Sequence, residues 1–339
     1  MTADGHGAHR PRPRPVTGPA PRPRWSVMIP TYHCADVLAT TLRSVLDQDP
    51  GEDVMQVEVV DDHSTDDDPE AVVRAVAPGR VGFFRQPANV GHTRNFNTCL
   101  DRARGHLVHL LHGDDAVLPG FYARMGAALE AHPEVGAAFC RHVVMDEEGT
   151  WLTLAPLVAG RSGVLDGWFD RIATGQLLQA PAMVVRREVY EEVGGFDQRI
   201  PSYGEDWEMW TRIAAHRPVW YETETLACYR VHTRSLSGRT LRTGQNMRDI
   251  RLVIDLNRDL MPADRAAELT RRSRENNALG AVRRALRLYD GGDVEGATAQ
   301  VREALATSRS ARVAAQVAAL VPRVSWRAAR RAARRASGG

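Results

Sequence analysis

The chain has 339 residues, of which 43% are hydrophobic, and a formal net charge of +2. This length and composition predict one large domain with an appendage, and no apolar run approaches the length of about 18 residues typical of a membrane-spanning helix. We expect no signal peptide, because the first apolar stretch begins at Trp25 and is short. The four cysteines are far apart and form no CxxC pair, which is typical of reduced cytosolic thiols.

The net charge conceals an asymmetry along the chain. Residues 1–24 carry five arginines and one acid, and residues 308–339 carry eight arginines and no acid, so the span 25–307 has a net charge of −10. A nucleic-acid-binding domain typically carries its basic residues on a folded face. An acidic body with two basic ends therefore argues against nucleic acid as a partner.

Residues 1–24 are rich in proline, arginine, glycine and alanine, which predicts a disordered arm. From Trp25 onward, short apolar runs alternate with segments whose apolar residues recur at helical spacing. The predicted strands are 25–30, 54–62, 81–86 and 106–111, and the predicted helices between them are 35–48, 69–77 and 92–104. This alternation is typical of βαβ units and a parallel sheet.

After residue 131 the pattern is less regular. It predicts strands over 135–146 and 182–188, a helix over 204–216, and two short strands, PVWYET (218–223) and LACYRVH (226–232). From about 243 the chain is predicted to be helical, with one helical hairpin interrupted at Gly291-Gly292. The last stretch of the basic tail (308–339), RVSWRAARRAARRASGG (323–339), is interpreted as a solvated or frayed helix, with a basic amphipathic helix on anionic lipid as the alternative and nucleic-acid binding as a distant third.

Two acidic pairs follow predicted strands. Asp61-Asp62 ends the second strand, and Asp114-Asp115 follows the fourth strand in the segment LVHLLHGDD. A Gly-Asp pair alone is typical of a turn, but ligands of open α/β sheets bind beyond the carboxyl ends of the strands. Adjacent carboxylates repel, and Mg²⁺ or Mn²⁺ relieves that repulsion while binding substrate phosphates. The acids therefore indicate a metal that holds a diphosphate.

The first βα turn, PTYHCAD, lacks GxGxxG, and the chain has no GxxxxGK[ST] segment. A dinucleotide-dependent oxidoreductase and a P-loop phosphotransferase are both disfavoured.

Seven segments in order resemble family 2 glycosyltransferases: VMIPTYH, VVDDHSTDD, ANVGHTRNFN, LLHGDD, VGGFD, GEDWEMWTRI and YRVHTRSLS. The resemblance extends from Trp25 to Ser237. It implies the GT-A fold, which is an α/β fold with a Rossmann-like mixed sheet flanked by helices, here followed by a C-terminal α-helical extension. The expected organisation is a disordered arm (1–24), a GT-A glycosyltransferase domain (25–240), a helical extension (241–307) and a basic tail (308–339).

The resemblance also implies roles for individual residues. Pro30, Thr31 and Tyr32 would line the nucleobase pocket. Asp62 would accept a hydrogen bond from the base, and Arg94 would lie near the phosphates. Asp114 would approach the ribose.

The remaining implied roles concern catalysis and the metal. Asp115 would bind Mn²⁺ or Mg²⁺, and His232 would reach the metal or diphosphate. Asp206 would be the general base. Many members of the family have an acid at the position of His112, so this sequence departs from a strict DxD motif. On their own, Glu205 and Asp206 also suit a helix N-terminus, and a lone histidine such as His232 is commonly structural.

The implied reaction is metal-assisted, inverting transfer of a sugar from a nucleoside-diphosphate sugar to an acceptor hydroxyl, in glycan or glycoconjugate biosynthesis. The acceptor would be a glycan, a lipid-linked molecule or a small molecule. The implied location is cytoplasmic, with the basic tail as a peripheral anchor at the inner face of the membrane. Two alternatives are a sugar-1-phosphate nucleotidyltransferase, for which PTYHCAD is neither glycine-rich nor basic enough, and a catalytically inactive glycosyltransferase-like binding scaffold.

Overall fold

The computed structural model describes residues 9–17, 21–232 and 236–320. The chain divides into two units. The α/β unit contains the chain up to residue 172 together with 176–201 and 205–232, and the helical unit contains 173–175, 202–204 and the chain from 233. Residues 321–339, which form most of the predicted basic tail, lie outside the described residues.

The described strands all belong to one mixed sheet in the α/β unit. They are β1 (Trp25–Thr31), β2 (Met55–Asp61), β3 (Gly82–Arg85), β4 (Leu107–Leu110), β5 (Ala116–Val117), β6 (Ala137–Met145), β7 (Trp151–Leu154), β8 (Gly163–Val164), β9 (Met183–Arg186) and β10 (Val219–Arg230). Their order is β3-β2-β1-β4-β9-β6-β10-β5, with β7 beside β6 and β8 beside β10. Strands β1 to β4 are mutually parallel where they pair, whereas β9 is antiparallel to β4 and β6.

Seven α-helices are described in the α/β unit. The helical unit contains four α-helices and a further helical stretch, 311–320, at the end of the described residues. Those of the α/β unit are α1 (Ala35–Leu46), α2 (Pro69–Val76), α3 (His92–Arg102), α4 (Phe121–Ala131), α5 (Trp168–Ile172), α6 (Arg187–Val193) and α7 (Glu205–His216). Those of the helical unit are α8 (Leu236–Thr243), α9 (Gln245–Arg258), α10 (Ala266–Asp290) and α11 (Val294–Thr307). This architecture confirms the expected mixed α/β sheet with flanking and C-terminal helices.

The core of the α/β unit explains why the strands and helices of its first half can be predicted from the sequence. Every residue of β1, β2 and β4 is buried, as expected for parallel strands covered by helices. Leu38, Leu42 and Val45 recur at helical spacing on α1 and pack into the same core cluster as these strands. The register pairs Thr31 of β1 with Asp61 of β2, so these strands end at one edge of the sheet.

Strand β10 differs from the sequence prediction of two short strands. It runs without a break from Val219 to Arg230 and pairs in parallel with β6. The register against β6 shifts twice, between Glu222 and Thr225 and between Thr225 and Ala227. The polar residues that suggest a turn in the sequence lie at these shifts, and the strand continues through them. An irregularity of this kind lets a strand continue while one or two residues leave the ladder.

Residues 9–17, within the arm expected to be disordered, follow a defined path against the α/β unit. The N–H of Gly195 donates to the carbonyl of Pro11 (2.8 Å), and that of Gln198 donates to the carbonyl of His9 (2.9 Å). The composition of this segment predicts disorder because it has too few apolar groups to form a core. Composition does not reveal that its backbone can pair with a distant loop, and this pairing is the physical reason why residues 9–17 are ordered.

Arg10 adds a charged anchor to this backbone pairing. It is only 12% exposed, and it contacts the fully buried carboxylates of Asp197 (2.8 Å) and Glu208 (2.9 Å). Burial would raise the pKa of Asp197, but hydrogen bonds from Arg199 and the charge of Arg10 outweigh it and hold the pKa at about 2. Glu208 is also paired with Arg212, so Arg10 joins two acids that each keep a second partner.

The helical unit contains the predicted hairpin. Helices α10 and α11 are separated by Gly291-Gly292, and the Asp293 side chain caps α11 by accepting the N–H of Gly296 (2.8 Å). Within the described ranges, no helix combines the length and apolar character needed to cross a bilayer.

We predict that Arg10→Gln lowers the free energy of unfolding of the α/β unit by about 1–3 kcal/mol, because it removes a charged partner from two buried carboxylates. Six of the seven tryptophans belong to this unit, so urea unfolding followed by tryptophan fluorescence measures it. The control is Arg74→Gln, which breaks an exposed pair with Glu70 and should cost about 0.5 kcal/mol or less. Equal effects of the two substitutions would contradict the anchoring role of Arg10.

Candidate active site

The loop after β4 lies against the carboxyl end of β1. The N–H of Gly113 donates to the carbonyl of Pro30 (3.0 Å). A Cβ atom at this position would lie 2.6 Å from Cγ2 of Thr31 and 2.8 Å from Sγ of Cys34, so no side chain fits. Glycine therefore permits the close approach that brings the next two residues, both aspartates, to the edge of the sheet.

Asp114 is partly exposed, and its Oδ2 lies 3.1 Å from Nε2 of His232. Burial would raise the pKa of Asp114, but the hydrogen bond from His232 and the charges of His112 and His232 outweigh it. The net effect lowers the pKa, so this carboxylate is ionised at neutral pH.

Asp115 is 1% exposed, and its two oxygens have different environments. Oδ1 accepts the backbone N–H of Arg230 (2.9 Å), whereas the buried Oδ2 has no hydrogen-bond partner among the described residues. Burial and then the charge of Asp114 raise the pKa of Asp115 well above its ordinary value. A bound cation would supply the missing partner and reverse the direction of this shift.

His112, Asp114 and Asp115 offer ligand atoms that all lie within 4.8 Å of one another. The Nε2 atom of His112 is buried without a hydrogen-bond partner among the described residues, and its ring stacks on Phe96 at 4.9 Å. Burial lowers the pKa of His112, which favours the neutral imidazole that can bind a metal. Two carboxylates and one imidazole fit a divalent cation such as Mn²⁺.

The predicted nucleobase residues lie at the end of β1. The Thr31 side chain is buried and donates to Oδ1 of Asp61 (3.4 Å). The Tyr32 ring is 47% exposed, with its centroid 4.0 Å from that of His33. Pro30 is buried beneath the acidic loop, as its contact with Gly113 requires. An exposed aromatic ring at a strand end can stack on a planar ligand.

Asp62 fixes the loop that precedes α3. Its Oδ1 accepts the N–H of Val90 (2.8 Å) and its Oδ2 accepts the N–H of Gly91 (3.0 Å). Burial raises the pKa of Asp62 despite these two bonds. Each oxygen retains a lone pair for the base contact that the sequence predicts. Arg94 lies in the first turn of α3 and is exposed.

Two histidines next to these strand ends have left-handed backbones. His33 follows β1 with a φ of 51°, and His63 follows β2 with a φ of 64°. Such conformations are uncommon for residues other than glycine and cluster at functional sites. The sequence contains no signal for them.

Asp206 is the second residue of α7. Its Oδ1 accepts a hydrogen bond from the backbone N–H of Trp207 (2.7 Å), and its Oδ2 accepts a hydrogen bond from Nε2 of Gln176 (2.6 Å). Burial and the charge of Glu205 raise the pKa of Asp206 to about 7. A carboxylate with this pKa is suited to accept a proton near neutral pH.

The pKa of the neighbouring Glu205 is shifted in the opposite direction. Its Oε1 lies 3.5 Å from Nε2 of His92. Burial would raise the pKa of Glu205, but the charge and hydrogen bond of His92 outweigh it and lower the pKa. Environments that separate the pKa values of two carboxylates are typical of acid–base sites.

The Phe96 ring connects the two acidic groups, because it stacks on the His112 ring (4.9 Å between centroids) and lies edge-on to the His92 ring (5.6 Å). His92 in turn lies 3.5 Å from Glu205. The structure brings together the predicted Asp114, Asp115 and His232 and places the carboxylate pair of α7 within their electrostatic reach. Sequence reasoning missed His112 as a candidate ligand, although it was visible as a departure inside the motif. It also missed His92 and Gln176; Gln176 lies in a segment without a motif.

The sequence model of the family described as "Glycosyl transferase family 2" matches residues 26–194. An uncharacterized protein of Mycobacterium tuberculosis, MT1568, is 29% identical over 239 residues, which cover 67% of this chain and 73% of that protein. The O-antigen biosynthesis protein RfbC of Myxococcus xanthus is 26% identical over 228 residues. This match covers 59% of this chain and only 17% of RfbC.

Two solved structures have a similar fold. TarS residues 1–349 of S. aureus, in complex with UDP-GlcNAc, has a TM-score of 0.57 at 13% identity, covering 84% of this chain and 92% of that chain. The mannosyltransferase PcManGT of Pyrobaculum calidifontis, in complex with GDP-Man and Mn²⁺, has a TM-score of 0.55 at 20% identity. It covers 89% of this chain and 80% of that chain.

We predict that Mn²⁺ stabilises the protein at neutral pH, because the cation relieves the buried charge of Asp115. At a concentration of roughly 100 times its Kd, the gain should be about 2–3 kcal/mol, measured as a rise in the midpoint of thermal unfolding. The gain should disappear in Asp115→Asn and persist in Asp66→Asn, which alters an exposed acid outside the cluster. A gain that survives in Asp115→Asn would place the cation elsewhere.

Proposed function

We propose that this chain, which belongs to glycosyl transferase family 2, transfers a sugar from a nucleoside-diphosphate sugar to an acceptor hydroxyl with inversion at the anomeric carbon. The observation that carries this proposal is the buried Oδ2 of Asp115 beside Asp114, which has no hydrogen-bond partner among the described residues and lies 3.9 Å from Nδ1 of His112. Such an oxygen calls for a cation, and a cation at the carboxyl end of a parallel strand is placed to meet a diphosphate.

The donor half of the site would be built from the ends of β1 and β2. Tyr32 presents an exposed ring against which a nucleobase can stack, and the fixed carboxylate of Asp62 can accept a hydrogen bond from its edge. Arg94 is exposed at the start of α3, where a guanidinium can reach a phosphate. Asp114, whose Oδ2 lies 3.1 Å from Nε2 of His232, would approach a ribose hydroxyl.

His112, Asp114 and Asp115 would hold Mn²⁺ or Mg²⁺, which neutralises charge that develops on the leaving diphosphate. The hydrogen bond between His232 and Asp114 fixes the orientation of that carboxylate. We propose that His232 also reaches the metal or the diphosphate.

Asp206 would act as the general base. As the acceptor oxygen attacks the anomeric carbon, its proton moves to Asp206, the bond from that carbon to the diphosphate oxygen breaks, and the nucleoside diphosphate leaves. Gln176 and the N–H of Trp207 hold the carboxylate in place. A single displacement of this kind inverts the configuration at the anomeric carbon.

For the acceptor we propose a hydroxyl of a glycan, a lipid-linked molecule or a small molecule, in polysaccharide or glycoconjugate biosynthesis. The name of RfbC, an O-antigen biosynthesis protein, supports this assignment for the 59% of the chain that aligns with it. The cysteine pattern supports a cytoplasmic location. The basic residues of 308–339 support peripheral contact with the inner face of the membrane.

Calorimetric titration with UDP, GDP and dTDP tests the donor assignment. The known complexes of similar folds hold UDP-GlcNAc in TarS and GDP-Man with Mn²⁺ in PcManGT, so both bases belong in the comparison. We expect one nucleotide to bind in the presence of Mn²⁺ and to bind at least about tenfold more weakly in EDTA. Absence of binding by all three to the folded protein would overturn the donor site and support a scaffold instead.

We predict that kcat rises with pH through about 7, because Asp206 must lose its proton before it can accept one from the hydroxyl. Asp206→Asn should lower kcat by about 10²–10⁴-fold and abolish this limb of the pH profile, while the Kd for nucleotide stays within about twofold. The matched control, Asp66→Asn, should retain both kcat and the pH profile. Near-normal turnover by Asp206→Asn would show that another group is the base.

A further inference from the structure

A cleft of about 480 Å³ within the helical unit is lined by four arginines, four serine or threonine residues and one alanine. The arginines are Arg258, Arg271, Arg274 and Arg309. No acidic residue lines the cleft in the described part of the chain. Its volume lies in the range of about 300–1,000 Å³ that is usual for sites of small ligands.

The packing of three segments brings these guanidinium groups together. Arg258 is the last residue of α9, and Arg309 follows the end of α11. On α10 the lining residues are Ala267, Thr270, Arg271 and Arg274, a spacing that defines one face of a helix. A helix face that packed into a core at this spacing would be apolar, whereas this one turns cations and a hydroxyl towards the cleft.

The charges in the cleft are only partly compensated. Arg274 donates to Asp255 (2.7 Å), and Arg271 lies 3.7 Å from Glu275. The side chains of Arg258 and Arg309 are exposed and form no hydrogen bond or ion pair with any described residue. The cleft therefore retains two arginines whose donors are available to a ligand.

We propose that this cleft binds the phosphate group of a phosphorylated ligand, supplied either by a soluble phosphate ester or by an anionic phospholipid headgroup. Guanidinium groups donate paired hydrogen bonds to phosphate oxygens, and hydroxyl side chains complete the shell of donors. The volume leaves room for the group that carries the phosphate. This site is separate from the sugar-transfer chemistry and does not depend on the proposed function.

The test uses the full chain and two double variants. Arg258→Gln with Arg309→Gln removes the two available arginines of the cleft. The matched control, Arg283→Gln with Arg287→Gln, removes two exposed arginines of α10 that do not line it. Both variants lose two positive charges, so a general effect of net charge would change them equally. Thermal unfolding of each variant establishes that it is folded.

The first arm is calorimetric titration with inorganic pyrophosphate in EDTA, which keeps metal away from the aspartate cluster. We expect the wild type and the control to bind, and the cleft variant to bind about tenfold or more weakly. Binding of the nucleotide selected by the donor titration, in the presence of Mn²⁺, should be unchanged in both variants. If the wild type binds none of UDP, GDP and dTDP, the proposed function is contradicted and the cleft is not affected.

The second arm is flotation with vesicles of equimolar phosphatidylglycerol and phosphatidylcholine, compared with phosphatidylcholine alone. If the ligand is a phospholipid headgroup, the cleft variant floats less than the control with the anionic vesicles. If it is a soluble phosphate ester, the two variants float equally but differ in pyrophosphate binding. Equal behaviour of both variants in both arms would overturn the proposal.

Discussion

The carboxylate of Asp115 is buried next to that of Asp114, and their mutual repulsion is the constraint on which the active site depends. Ligand atoms of the two aspartates and His112 lie within 4.8 Å of one another. At an effective dielectric constant of about 20, two unit charges at the upper limit of this separation repel by about 3–4 kcal/mol. This energy is comparable with the cost of a severe mutation, so the unit must contain features that make the arrangement tolerable.

Those features come from distant parts of the sequence. Gly113 removes a side chain so that the loop can approach β1, and the last residue of β10, Arg230, donates its backbone N–H to Asp115. His232, two residues further on, holds Asp114 ionised. A second carboxylate pair on α7 is arranged in the same way, with His92 favouring ionisation of Glu205 and burial favouring protonation of Asp206. In both pairs, the environment shifts the pKa values of chemically similar neighbours in opposite directions.

The sequence predicts the first half of the sheet well, because β1, β2 and β4 are buried throughout and their apolar runs are continuous. The order of the motifs along the chain also identifies Asp115 and Asp206 as candidate site residues, because this order can be read from the sequence without knowing how the segments pack. Pairing between segments that are distant in the sequence is harder to predict from the sequence. The polar residues inside β10 suggest a turn, although register shifts against β6 keep the strand intact. The contact of Gln176 with Asp206 depends on two segments that no local pattern connects.

The docked N-terminal segment has a consequence for the order in which the molecule is completed. Arg10 and Asp197 are separated by 187 positions, so the first described residues to leave the ribosome reach their partners only after most of the α/β unit has been synthesised. Strands β9 and β10 are likewise late in the chain but central in the sheet, between β4, β6 and β5. Contacts of such long sequence separation form slowly and leave strand edges exposed in the meantime. The parallel strands β1 to β4 can assemble early, whereas the sheet is complete only after β10 has been synthesised. The N-terminal segment can then dock, and Arg10 pairs with Glu208 on α7, the helix that carries Asp206.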